Sequence, residues 1–170
     1  MTSKQEQAYG TWSSPLTAER LTASTVRLGN IQFHQGQLYW TEGRPEESGR
    51  SALVTLDQSR QNSTILPEPW NVRTRVHEYG GLSFNVSDQG VVFSHFSDQR
   101  LYLFDPDQGG EPKAITKDNV DRFGAPSADS SRGGWVAVRE VMEKGMEEPL
   151  NELARVTPNG QVSSIVSGAD

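Results

Sequence analysis

The sequence predicts an all-β fold built from repeated four-stranded antiparallel units, and three observations carry that prediction. Residues 36–40 (Gly-Gln-Leu-Tyr-Trp), 90–94 (Gly-Val-Val-Phe-Ser) and 134–138 (Gly-Trp-Val-Ala-Val) echo one another as a turn glycine running into a strand. Residues 51–56, 100–105 and 151–156 form a second set of equivalent strands, starting 49 and 51 residues apart. A short fourth strand follows each of these, at 63–66, 111–115 and 161–166. Four strands per unit at a period near fifty is the signature of a β-propeller blade. A propeller ring closes with about four to eight blades. Three units form an arc, so the chain reads as a β-propeller fragment of a larger protein.

Each stretch has a local reason for its assignment. Residues 1–25 read as a polar tail followed by a short helical turn, in which Ser13 or Ser14 caps and Pro15 takes the first helical position. Proline costs nothing there because its missing N–H would be unpaired anyway. The partial propeller then occupies 26–170, with blades at about 26–69, 78–117 and 122–168. Pro67 and Pro69 end the first blade, since proline cannot donate to a ladder. Asp88-Gln89-Gly90 and Asp105-Pro106-Asp107 suit hairpin turns, as does Pro158-Asn159 followed by Gly160. Residues 143–151 are a charged insertion that reads as a solvated loop.

Alternation shows which strands are covered on both sides. Val91, Phe93 and His95 fall on one face of their strand, and Val92, Ser94 and Phe96 on the other. Leu101 and Leu103 alternate with Tyr102 and Phe104. Apolar residues on both faces fit a blade sandwiched between neighbours. An arc of three blades has two end faces, and apolar strands such as 91–96 or 136–141 are expected to be exposed there, with poor behaviour as a monomer.

Composition narrows the function classes. The 170 residues carry a net charge of −6 and are 34% hydrophobic, with a mean hydropathy of −0.64 and a pI near 5.1. An acidic chain without a Lys/Arg cluster is not expected to bind nucleic acid or an anionic membrane. Cysteine is absent, which removes disulfides and thiolate chemistry and fits a cytoplasmic location. No apolar run approaches a membrane-spanning length.

Chemistry-bearing motifs are sparse. Gly81-Leu82-Ser83-Phe84-Asn85 lacks the last glycine of a Gly-x-Ser-x-Gly elbow, and it precedes a strand instead of joining strand to helix. His34, His77 and His95 are spaced as no metal motif is. The densest polar constellation is Arg73-Thr74-Arg75-Val76-His77-Glu78-Tyr79-Gly80-Gly81, where the chain passes from the first blade to the second. Innermost strands line a propeller channel, so Arg73, Arg75, His77 and Glu78 are candidates for a substrate channel. Two readings stay open for them. Arg73 or Arg75 pairs with Glu78 to lock two blades, or these charges meet a substrate.

Here the residues resemble a known family. Tyr9-Gly-Thr-Trp-Ser-Ser-Pro-Leu-Thr-Ala, then Leu38-Tyr39-Trp40 with Glu42 and Arg44-Pro45, then the string from Asn71 to Gly81 are similar to the N-terminal part of prolyl-oligopeptidase-family serine peptidases. The nearest branch is the dipeptidyl-aminopeptidase/acylaminoacyl-peptidase-like one. The resemblance implies a seven-bladed propeller, of which about three blades are present, preceding an α/β-hydrolase domain. In that family the propeller restricts entry to small peptides, and the catalytic Ser, Asp and His all belong to the hydrolase domain. The resemblance therefore implies no catalytic residue in this chain, no metal and no organic cofactor. Its partners would be the missing hydrolase domain and small peptides. Two other readings compete: a stand-alone scaffold that completes its ring by oligomerisation or with a partner, and a sugar-lactonase-like propeller with a metal in its channel.

Overall fold

The structure, a computed structural model, describes residues 6, 8–11, 16–17, 25–142 and 148–168. The helical turn expected near Pro15 and most of the charged insertion after Met142 lie outside the described residues. Among the described residues, twelve strands form three four-stranded antiparallel sheets, each a simple meander. The first holds β1 (Arg27–His34), β2 (Gln37–Arg44), β3 (Arg50–Leu56) and β4 (Asn62–Thr64). The second holds β5 (Phe84–Ser87), β6 (Gly90–Ser94), β7 (Leu101–Phe104) and β8 (Lys113–Ala114). The third holds β9 (Arg122–Ala128), β10 (Trp135–Val141), β11 (Leu150–Val156) and β12 (Val162–Gly168). One 3-10 turn, Pro45–Glu47, interrupts the first sheet, and no α-helix occurs among the described residues. The fold is all-β, as three blades of a propeller require.

The repeated glycines turn each inner hairpin. Gly90 and Gly134 have φ of +103° and +80°, a region that side chains avoid. A Cβ on Gly90 would sit 2.6 Å from the Phe104 carbonyl oxygen, and one on Gly134 would meet the carbonyl of Val156. These glycines are thus required twice over, by dihedral and by contact with the neighbouring strand. The outer strands are displaced by a residue or two from the segments expected. They begin where their partner strand can offer ladder bonds, at Asn62–Leu56, Lys113–Leu103 and Val162–Val156.

Two apolar layers join the sheets. Leu53 from the first sheet packs with Phe84, Val91, Phe93 and Phe104 from the second, sealed by Leu66 and Val72 of the connecting segment. Val92 and Leu101 of the second sheet pack with Phe123, Trp135, Ala137 and Val156 of the third. The alternation of β6 is realised as expected: Val91 and Phe93 face the first sheet while Val92 faces the third. Exposure of 91–96 is not realised, because this strand lies in the middle sheet and has a neighbour on each face.

Both outer sheets carry exposed apolar residues, beside those of connecting segments such as Tyr79, Leu82 and Val120. On β1, Phe33 is 72% exposed; it is the cross-strand partner of Leu38 and so shares the face carrying Trp40, Ala52 and Val54. In the third sheet Val138, Leu153 and Val166 are successive cross-strand partners, and Leu153 and Val166 are 43% and 53% exposed.

Candidate functional site

The first strands of the sheets lie side by side, β5 between β1 and β9, and side-chain amides stitch them together. Gln32 of β1 donates from Nε2 to the Phe84 carbonyl (3.0 Å) and accepts from the Val86 N–H (2.9 Å). Asn85 of β5 repeats the device by accepting from the Ala128 N–H of β9 at 3.2 Å. These seams position the segment 71–83, which crosses from the first sheet to the second.

That segment is held from both sides. Its Val72 N–H donates to the Ser51 carbonyl (2.8 Å), and the Asn71 side chain accepts from the Ser51 N–H (3.0 Å). Arg73 N–H donates to Ser94 O at 3.1 Å, and Phe96 N–H to Asn71 O at 2.9 Å. Val72, Thr74 and Val76 are buried, and Thr74 Oγ1 donates to the Phe123 carbonyl of the third sheet at 2.7 Å. Alternation then leaves Arg73, Arg75 and His77 exposed.

A tight turn follows. His77 and Glu78 both have positive φ, +56° and +62°, an uncommon setting for residues with side chains. Glu78 N–H donates to Arg75 O (2.8 Å) and Gly80 N–H to Val76 O (3.1 Å). Gly80, φ +77°, is needed because a Cβ there would lie 2.8 Å from Thr74 O, whereas Gly81 faces open space. Only the first glycine of the pair serves a close approach of backbones.

Electrostatics at the turn differ from the pairing expected. Glu78 approaches Arg122 at 3.7 Å, not Arg73 or Arg75, and its side chain is 83% exposed. The carboxylate that organises the turn is Glu140 of β10, almost fully buried. It accepts from the His77 backbone N–H, lies 3.7 Å from His77 Nδ1 and pairs with Arg122 at 3.4 Å. Arg122 and Glu140 face each other across β9 and β10. Arg73 and Arg75 instead stack on Phe96, their Cζ atoms 5.0 and 4.5 Å from the ring centroid. Opposite charges three residues apart suggested a local pair. The turn at His77 and Glu78 directs Glu78 away from the arginines.

The other candidate groups are dispersed. His34 lies 3.3 Å from Asp88 at the hairpin end of the sheets. His95 is buried; its Nδ1 accepts from the Asn71 N–H at 3.3 Å, and its ring meets Trp70 at 4.9 Å between centroids. Burial, ahead of the opposing influence of Asp98, pushes its pKa below the usual 6.5. Ser83 is buried, donating to Val72 O at 3.1 Å and accepting from Asn30 Nδ2 at 3.1 Å. Neither partner can act as a base toward it. Among the described residues no group of three or more His, Asp or Glu side chains is arranged to hold a metal ion.

Sequence reading missed Glu140, Gln99 and Phe96 as parts of this region. Phe96 had a signal, since alternation placed it opposite His95; Glu140, 63 residues from His77, had none.

Three antiparallel meanders with their first strands side by side define a partial β-propeller, with a polar connecting segment at the blade entry. No family model and no curated protein matches the chain. Solved structures do. Puromycin hydrolase, and a serine-to-alanine variant of it complexed with PGG, match at 30% identity and TM-score 0.82 over 96% of this chain and 28% of theirs. A Mycobacterium tuberculosis puromycin-hydrolyzing peptidase matches at 28% identity and TM-score 0.81 over 98% of this chain and 28% of its own. These solved structures are prolyl-oligopeptidase-family members, and the chain is similar to part of their β-propeller, in line with the resemblance carried by the strings around Tyr9 and Arg73. It spans little more than a quarter of the length of the structures it matches.

Proposed function

We propose that this chain is the non-catalytic, substrate-gating portion of a serine peptidase that acts on small peptides, working with an α/β-hydrolase domain that carries the catalytic serine. The observation that carries the reading is the side-by-side array of first strands β1, β5 and β9, stitched by Gln32 and Asn85, in a chain similar to puromycin hydrolases. A rigid arc of inner strands makes a wall that a peptide must pass, so selection by size needs no reacting group in the wall. Arg73, Arg75, His77 and Glu78 stand at the entry of β5 and are the residues we assign to contact with peptide. A cytoplasmic location goes with this reading.

The test uses the full-length protein that carries this chain. kcat/KM is measured for a free-amine tripeptide and for a peptide of about twenty residues, before and after loosening the seams with Gln32→Ala and Asn85→Ala. Gating predicts that the short peptide is strongly preferred and that loosening narrows the preference. Equal rates for both lengths in the parent protein, or an unchanged ratio after hydrogen exchange has verified the loosening, would refute it.

A further inference from the structure

In a chain of net charge −6, Arg73 and Arg75 have no carboxylate within ion-pair distance among the described residues. Arg44, Arg50, Arg122, Arg139 and Arg155 do; Arg73 and Arg75 differ from the other arginines outside ion pairs in sharing one aromatic ring. Both unpaired guanidiniums instead converge on the ring of Phe96. They are two residues apart on a segment that alternates between buried and exposed residues, so both lie on its exposed side. The platform beneath them is built. The buried Gln99 side chain donates to Phe96 O at 2.7 Å and accepts from the Arg75 N–H at 2.7 Å, so ring and arginine backbone are tied by one amide. Arg73 is tied to the same loop through Ser94.

Stacking orients a guanidinium while leaving its N–H edge free, and that edge matches the two oxygens of a carboxylate. Two such edges held over one ring repel each other until an anion lies between them. We propose that Arg73 and Arg75, clamped on Phe96, form a carboxylate-binding site that takes the carboxylate of a small peptide. The proposal rests on the gating reading and names the chemical group of the peptide that this face meets. A C-terminal carboxylate and an Asp or Glu side chain share that chemistry.

The test follows the arginine Nε–Hε signals of the isotope-labelled chain by NMR. Three probes are titrated: N-acetyl-triglycine, its C-terminal amide, and N-acetyl-glutamic acid α-amide, which carries only a side-chain carboxylate. Saturable shifts of Arg73 and Arg75 with either acid, and none with the triglycine amide, support the site. The two acids tell the sources apart. Arg73→Gln and Arg75→Gln are each expected to weaken binding about tenfold, and Phe96→Leu about threefold, since it removes stacking and keeps both charges. Both arginine side chains are exposed, and the backbone spectrum verifies that the variants remain folded. Failure of both acids to shift these signals, equal shifts with the amide, or undiminished binding in the double arginine variant would overturn the proposal. The gating reading is judged separately by length discrimination in the full-length protein. Intact discrimination without carboxylate binding therefore sinks this inference alone.

Discussion

Gln32 and Val86 lie on the first strands of adjacent sheets, and the Gln32 side-chain amide gives Val86 the bond that a backbone neighbour would otherwise supply. Gln32 Oε1 accepts the Val86 N–H at 2.9 Å while its Nε2 reaches the Phe84 carbonyl at 3.0 Å. The side chain thus mimics a short piece of β-ladder between blades that share no ladder of their own. Gln32→Ala strands a partly buried N–H and a carbonyl, and is expected to cost about 2 kcal/mol. Gln35→Ala, which loses only a bond to the exposed Asp88, is expected to stay within about 0.5 kcal/mol. Urea midpoints of both variants check the contrast, and equal effects would remove the seam from the account of stability.

Glu140 and Glu78 should behave oppositely. Glu140 is buried and serves both the His77 N–H and Arg122, so Glu140→Ala is expected to destabilise by about 3 kcal/mol. Glu78 touches only the edge of Arg122 from a solvated position. Glu78→Gln is therefore expected to leave thermal stability nearly unchanged. A large loss of Tm in the Glu78 variant would restore the blade-locking role that its sequence position suggested.

His95 gives stability a pH dependence with a definite sign. Its folded-state pKa is lowered from 6.5, chiefly by burial, so below that value the unfolded chain binds more protons than the native one. The contribution is full above pH 6.5 and is lost as pH falls. Protonation would also destroy the Nδ1 acceptor used by Asn71. Between pH 7.5 and 5.5 the urea midpoint is expected to fall in the parent chain and to fall less in His95→Gln. Parallel curves for the two proteins would show that His95 is not responsible.

The 170-residue chain alone is expected to self-associate through its outer sheets. Phe33 on one, and Leu153 with Val166 on the other, expose apolar side chains that a longer propeller would cover. Sedimentation over a concentration series should show association that weakens in a Phe33→Gln/Val166→Thr variant. A monomer stable to concentration and identical in the variant would contradict this.

The same chain is expected not to hydrolyse esters or peptidyl anilides. A serine hydroxyl needs a positioned base and an oxyanion site, and Ser83 is occupied with Val72 and Asn30. Turnover by purified chain that a serine-directed phosphonate abolishes would overturn the expectation.

Features that depend on neighbours along the chain were legible before folding was considered. Period-2 alternation around Val91, Val92 and Phe93 declared a strand covered on both faces, because side-chain direction in a strand is fixed by the pleat. The glycines at 36, 90 and 134 declared the inner hairpins, because their backbone twist demands a positive φ. The strings around Tyr9 and Arg73 pointed to the family. Tertiary structure alone decided which charges meet. Sequence distance favoured Arg75 with Glu78, yet the left-handed turn at His77 and Glu78 sends them apart. Glu140 reaches the turn only because the third sheet packs beside the second. It likewise decided that 91–95 are buried while Phe33 and Val166 are exposed, since exposure depends on a blade's place in the arc and not on its own pattern. The unpaired state of Arg73 and Arg75 belongs to the same class of fact: it follows from how Gln99 and Phe96 are carried to them by a loop more than twenty residues away.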